Sequence, residues 1–289
     1  MTFGALIRLL IVAAWLALFV RHLVTHVAPG FGLEQGHDIG AVLRANVGRE
    51  FIYDLVQESR SGTPRSIGSS QLSFSREEHG YQLETSLELT DPSQLGPLSL
   101  LIKGAADAPK RITLRIAQHL DQELRLTSLN ATGALLGITF SAEGVVKEHG
   151  LEGRWRMDEG PANPITIPGI GRDDNQGMDL VISLPPGLKA GDRFTSRLLS
   201  PDIANLRIEA KTAIFAALAP EAVITQAGSL LLLRVEMTVD ARAVATLWCD
   251  ERGTVYRTRQ SSGPTLLLKQ VREVGGDILW PPPGVPSAL

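Results

Sequence analysis

Apolar and polar residues alternate with a period of two through most of this chain, and that pattern excludes a helical body. After Gly80, the residues Tyr81, Leu83, Thr85, Leu87 and Leu89 fall on one side, with Gln82, Glu84, Ser86 and Glu88 on the other. Ile112, Leu114 and Ile116 oppose Arg111, Thr113 and Arg115 in the same way. Leu151, Trp155 and Met157 oppose Glu152, Arg154 and Arg156, and Val235, Met237 and Val239 oppose Arg234, Glu236, Thr238 and Asp240. Side chains on an extended strand point alternately to its two faces, so such runs predict antiparallel strands with one dry face and one wet face.

The punctuation agrees. Glu78-His79-Gly80, Glu148-His149-Gly150 and Glu251-Arg252-Gly253 each put a glycine just before a new alternating run, where a tight hairpin calls for positive φ. Pro185-Pro186-Gly187 and Lys189-Ala190-Gly191-Asp192 bracket another reversal. Residues 213–219 are apolar throughout and fit either strand or helix.

The N-terminus reads differently. Between Phe3 and Val20 the only charge is Arg8, and Leu9 to Val20 is wholly apolar. Extended to Val24, the segment has about 20 residues, enough for a helix of roughly 30 Å that crosses a bilayer. Arg8 is near enough to the start to reach the headgroups, and Arg21 with His22 marks the other interface. A cleaved signal peptide is the competing reading, but cleavage after Ala28 would place His26 at the minus-three position. Both readings export the body. The orientation expected is N-terminus inside, because a long C-terminal body translocates largely regardless of its charge.

The expected fold is therefore mainly β: an N-terminal transmembrane helix followed by a curved antiparallel sheet or open β-barrel, as one β domain or two subdomains. The expected organisation is an anchor over 1–28 and a juxtamembrane spacer over 29–45, with a short helix over 36–45. A first β-rich part follows over 46–160, then a loop or linker over 161–177 and a second β-rich part over 178–275. A proline-rich tail over 276–289 completes it, since Trp280-Pro281-Pro282-Pro283 cannot form a central strand.

Charge and cysteine content narrow the partners. Removing Arg8 and Arg21 with the anchor leaves 26 basic residues against 31 acidic ones, a net of −5. A mildly acidic body offers no footprint for a polyphosphate backbone, which argues against nucleic acid. With Cys249 as the single cysteine, no internal disulfide can form.

Candidate chemistry is sparse. Cys249 lies in an alternating strand between Trp248 and Asp250, with no histidine within a hundred residues before it or anywhere after, so a packed and inert thiol is expected. His79 and His149 sit in matching turns that could hold a metal with Glu78 and Glu148, yet exposed turn histidines usually serve only as polar turn residues. His119 near Asp121 and Glu123 fits a solvated strand end. Asp173, Asp174 and Asn175 lack the spacing of a calcium loop. Asn130-Ala131-Thr132 matches a glycosylation sequon, Gly169 and Gly171 extend to no nucleotide-binding motif, and no Gly-x-Ser-x-Gly elbow is present. No catalytic, cofactor-binding or metal residue is assigned, and no cofactor is expected.

Two segments of the C-terminal half resemble a known family. Leu184-Pro185-Pro186-Gly187 through Asp192-Arg193-Phe194 with Leu199-Ser200-Pro201, and Leu247-Trp248-Cys249-Asp250 through Val255-Tyr256-Arg257, resemble the β-rich region that precedes the catalytic domain of bacterial exported transglutaminase-like proteins. The same hairpin style is similar to that of exported lipoprotein carriers with a half-wrapped barrel. The resemblance covers residues 180–275. It carries over no catalytic residue, because only a short proline-rich tail follows Val274 where the Cys-His-Asp domain would stand.

These readings imply a non-enzymatic β domain anchored in a bacterial inner membrane by a single pass, its bulk on the periplasmic side. It would bind an apolar ligand, lipid or lipoprotein-like, or a partner protein. An accessory or scaffold subunit of a cell-envelope complex is the alternative, and an enzyme with no recognisable motif is a third.

Overall fold

A computed structural model describes residues 29–30, 45–57, 64–90, 111–135, 137–168, 184–202, 207–261 and 264–280. The apolar segment 3–24 lies outside these residues, as do 36–44, 169–177 and the prolines after Trp280. Among the described residues no helix is long and apolar enough to cross a membrane.

Among the described residues sixteen strands follow one another. The first half of the chain holds β1 (Pro29–Gly30), β2 (Arg49–Gln57), β3 (Arg65–Glu77), β4 (Gly80–Leu89), β5 (Ile112–Leu120), β6 (Leu126–Leu135), β7 (Ile138–Lys147), β8 (Gly150–Met157) and β9 (Asn163–Pro168). The second holds β10 (Arg193–Asp202), β11 (Arg207–Thr225), β12 (Gly228–Val239), β13 (Arg242–Cys249), β14 (Val255–Gln260), β15 (Thr265–Glu273) and β16 (Ile278–Trp280). All join one antiparallel sheet in the order β1-β10-β11-β12-β13-β14-β15-β2-β3-β4-β5-β6-β7-β8-β9, with β16 also on β15.

In both long halves successive strands pair as a meander, most of them through short turns whose closure costs little, the β4–β5 connection over 90–111 being a long one. Two long-range pairings tie the halves together, β1 with β10 and β15 with β2; in the second Leu268 faces Tyr53 and Val271 faces Phe51. Tyr53 strengthens that seam, its hydroxyl donating to the Val255 carbonyl at 2.9 Å across 202 residues of chain. The sheet does not close. It ends at β9 on one side and β1 with β10 on the other, and it curls until β9 and β11 approach within 8 Å between Cα atoms.

The alternation read from the sequence holds strand by strand. Leu83, Thr85, Leu87 and Leu89 are buried while Gln82, Glu84, Ser86 and Glu88 are not, and Ile112, Leu114 and Ile116 are buried beside exposed Arg111 and Arg115. Residues 213–219 belong to the long strand β11. Directly paired residues point to the same face, so the row Ala217, Val235, Leu247, Thr258, Leu266 and Leu55 marks one inner face running across both halves. All six are buried, which joins the cluster around Phe51, Tyr53, Leu72 and Ile116 to the one around Phe215, Val235 and Leu247. Each fully buried Leu, Ile or Phe contributes about 1.5–3 kcal/mol, which is how so aromatic-poor a chain sustains a sheet of this size.

Two local expectations need revising. Residues 163–168, read as part of a loop or linker, form the edge strand β9. Its prolines at 164 and 168 cannot donate to a ladder, and an edge strand tolerates them where a central strand would not. Ile278–Trp280, read as tail, returns along β15, and Trp280 packs edge-on against Tyr256 with ring centroids 5.0 Å apart. Gly80 has the positive φ expected of it, +155°, as the first residue of β4; Glu77 pairs with it, so Glu78 and His79 make the turn, and a Cβ at position 80 would lie 1.9 Å from the Leu120 carbonyl oxygen. Of the 36–45 helix, only a helical turn at Ala45–Asn46 is described.

Candidate docking surface

Strands alternate in direction, so the hairpin connections fall at two ends. The turns β3–β4, β5–β6, β7–β8, β11–β12, β13–β14 and β15–β16 all lie at the same end. β1 starts at the other. β1 runs antiparallel to β10, with Gly30 facing Arg197 and Arg197 facing Thr212 of β11, so Pro29 opens β1 on the side away from the β11–β12 turn. From Thr212 to Thr225 is thirteen residues, or about 40 Å along the strand.

At the hairpin end, β11 and β12 outrun their neighbours. Pairing of β10 with β11 stops at Ala216, and pairing of β13 with β12 stops at Leu233. Beyond those points the two strands continue as a ribbon closed by Gln226 and Ala227 between Thr225 and Gly228. The Thr225 hydroxyl holds the turn, donating to the Gly228 carbonyl at 2.8 Å and accepting from the Ala227 amide at 3.2 Å.

One side of this ribbon is secured. Val223, Leu232 and Trp248 bury one another on the sheet's outer face, with Leu230 and Tyr256 packed against them. The Trp248 indole Nε1–H donates to the Glu221 carboxylate, and the Arg257 guanidinium lies 5.2 Å from the Trp248 ring centroid. Arg234 pairs with Glu236 and stands 3.9 Å from Glu221.

The other side is bare. Ala222 faces Leu231 and Ile224 faces Ser229, on the same face as buried Val235. Ile224 is 66% exposed and Leu231 73%. The apolar inner face thus runs past the end of the core and stands uncovered. From Ala222 to Leu233 there is no charged residue. Sequence reasoning missed this site. Its one signal was that uncharged run, bounded by Glu221 and Arg234, which by composition alone reads as ordinary core.

The residues singled out from the sequence lie elsewhere. Cys249 is wholly buried in the inner-face core, and burial, with a smaller contribution from Asp250, pushes its thiol up to about 12. Such burial disfavours the thiolate that nucleophilic attack requires. His79 and His149 are exposed at their turns with Glu78 and Glu148, but β5 and β6 separate the two hairpins. Three strand spacings, about 14 Å, are too wide for a shared ion. His119 Nδ1 lies 2.9 Å from a Glu77 carboxylate oxygen, and Arg125 closes on Asp121 at 2.8 Å and Glu123 at 3.1 Å. Asn130 sits in mid-β6 between Ala117 and Glu143. Gly169, Gly171, Asp173, Asp174 and Asn175 lie outside the described residues. Among the described residues no three His, Cys, Asp or Glu side chains are grouped to hold a metal ion.

A shallow depression of about 260 Å³ crosses the outer face of β2 to β6, over Ser69, Gln71, Ser86 and Thr113. The carboxylates beside it are committed, Glu84 to Arg115 and Glu88 to Arg111, each at 2.7 Å. On the inner face, by contrast, the Gln118 amide and the Thr85 hydroxyl are buried without a hydrogen-bond partner among the described residues.

No family model and no curated protein matches this chain. Among solved structures, a DUF1089 family protein from Pseudomonas aeruginosa aligns at 14% identity and a TM-score of 0.31, covering 65% of this chain and 87% of that one. An exported protein with a YmcC-like fold from Bacteroides fragilis aligns at 10% identity and a TM-score of 0.26, covering 86% of this chain and 99% of that one. Neither is a transglutaminase-like protein, and superpositions this loose carry no argument about function. What stands is an open, mainly antiparallel β sheet.

Proposed function

We propose that this chain is a non-catalytic β module of the bacterial cell envelope, held by its N-terminal apolar segment and docking a partner protein through the β11–β12 ribbon. The observation that carries this reading is the exposure of Ile224 and Leu231 on a face that is otherwise core. Leaving two large aliphatic side chains in water forgoes about 1.5–3 kcal/mol each, which a docked partner would recover. A ribbon whose tip is about 40 Å from β1 is well placed to meet a partner away from an anchoring bilayer.

The test is recovery of the full chain from native membranes beside the double variant Ile224→Ser, Leu231→Ser. One protein recovered in stoichiometric amount with the parent and lost with the variant, at unchanged thermal stability, is the expected result. An identical set of proteins with both chains overturns the reading.

A second reading rests on a different observation. The unpartnered Gln118 amide and Thr85 hydroxyl on the inner face suit a carrier-like protein whose sheet opens to admit an amphiphile, its polar group meeting those two side chains. Against it, Leu72, Leu83 and Ile116 around them are almost wholly buried, as in a closed core.

A further inference from the structure

The turns that surround the ribbon have a charge of their own. Five of them, residues 77–80, 121–125, 147–150, 250–253 and 273–277, hold nine carboxylates and three bases. Nine less three leaves six negative charges in these five turns, with Arg76 and Arg272 one residue before two of them, whereas the whole chain has a net of only −3. Glu78, Glu148 and Glu251 are exposed at the turn tips. The ribbon itself adds nothing to this field.

Exposed apolar side chains gather at the same end. Besides Ile224 and Leu231, Val145 near the β7–β8 turn and Val274, Ile278 and Leu279 around the β15–β16 turn are exposed, and Ile214 is the one large exposed hydrophobic residue located elsewhere among the described residues. Apolar anchors within a charged rim are the anatomy of a protein interface, in which the rim sets orientation and partner choice.

We infer that the hairpin end receives a protein whose apolar patch is ringed by lysine and arginine. This rests on the docking reading above and names the chemistry of the partner. An anionic bilayer is disfavoured, because its headgroups would repel the turns that must approach them. Nucleic acid is disfavoured for the same reason.

The experiment uses the full chain in nanodiscs of zwitterionic phosphatidylcholine, with two fluorescent peptides read by anisotropy. One alternates leucine with lysine and the other leucine with glutamate. The leucine–lysine peptide is expected to bind at least about tenfold more tightly, and to lose that margin in about 0.5 M salt, where the Debye length falls to a few ångströms. The charge reversals Glu78→Lys and Glu148→Lys together should erase the preference while leaving residual binding. The pair Ile224→Ser, Leu231→Ser should remove binding of both peptides. Equal binding of the two peptides by the parent chain overturns the charge inference and leaves the docking reading standing. Peptide binding indifferent to the serine pair overturns both. Tighter binding to phosphatidylglycerol vesicles than to the leucine–lysine peptide overturns the inference in favour of a membrane.

Discussion

Gln118 lies on the inner face of β5 between Leu83 of β4 and Leu129 of β6, fully buried, with neither atom of its amide meeting a partner among the described residues. The unfolded chain hydrates that amide and the folded chain does not, a penalty of about 1–3 kcal/mol for a buried polar group left unpaired. Gln118→Leu removes the penalty at similar volume and returns apolar surface to a face that is already aliphatic. A gain of about 2 kcal/mol is expected, or roughly 4–8 °C in Tm for a domain of this size. Chemical denaturation of the full chain, read as a shift in midpoint at constant slope, measures it. A loss of about 1 kcal/mol or more would refute the reasoning. It would mean that the amide is satisfied by a bound group, and would move the balance toward the carrier-like reading. The neighbouring Thr85→Val should shift stability in the same direction by a smaller amount, because a hydroxyl has fewer bonds to lose than an amide.

Three other perturbations probe different parts of the account. Gly253→Ala should cost about 3 kcal/mol, because φ there is +79° and a Cβ would fall 1.8 Å from the Leu184 carbonyl oxygen; a denaturation midpoint within about 1 kcal/mol of the parent would contradict it. Trp248→Phe loses the indole bond to Glu221 and should loosen the ribbon, seen as faster limited proteolysis between residues 217 and 233 with about 1 kcal/mol lost in global stability; unchanged cleavage there would contradict it. Stability should also fall in alkali. The Cys249 thiol holds its proton up to about 12 when folded against an ordinary value of 9.0, and burial raises the Tyr256 and Tyr53 phenols too. Their contribution is complete below about pH 9 and is lost as pH rises through the folded values, since there the folded state binds more protons than the unfolded one. Denaturation midpoints near pH 8 and pH 10.5 should therefore differ, less so in Cys249→Ala; identical pH dependence in the two chains would contradict the thiol's part.

Local features carried most of the fold. The alternation in β4, β5, β8 and β12 specified both strand type and buried face, because each of those strands has one face in water. Cys249 read as packed because it alternates onto the dry face of its strand, and it is buried there. Pairing of β15 with β2 left no trace in local pattern, since nothing in Leu266 or Tyr53 names a partner some two hundred residues away. β9 was hidden by Pro164 and Pro168, which break a donor pattern only in strands paired on both sides. The docking ribbon was the hardest to see. Leu230 to Leu233 is a continuous apolar run, and only the early end of β13 turns part of it from core into surface.

The central claim is that Ile224 and Leu231 meet a partner protein. A photo-crosslinking amino acid placed at position 231, and separately at Thr113 in the outer-face depression, tests it most directly in cells making the full chain. The account predicts one discrete protein adduct from position 231, competed away by added salt, and none from position 113. Equal adducts from both positions, or only lipid or intrachain products from position 231, would contradict it.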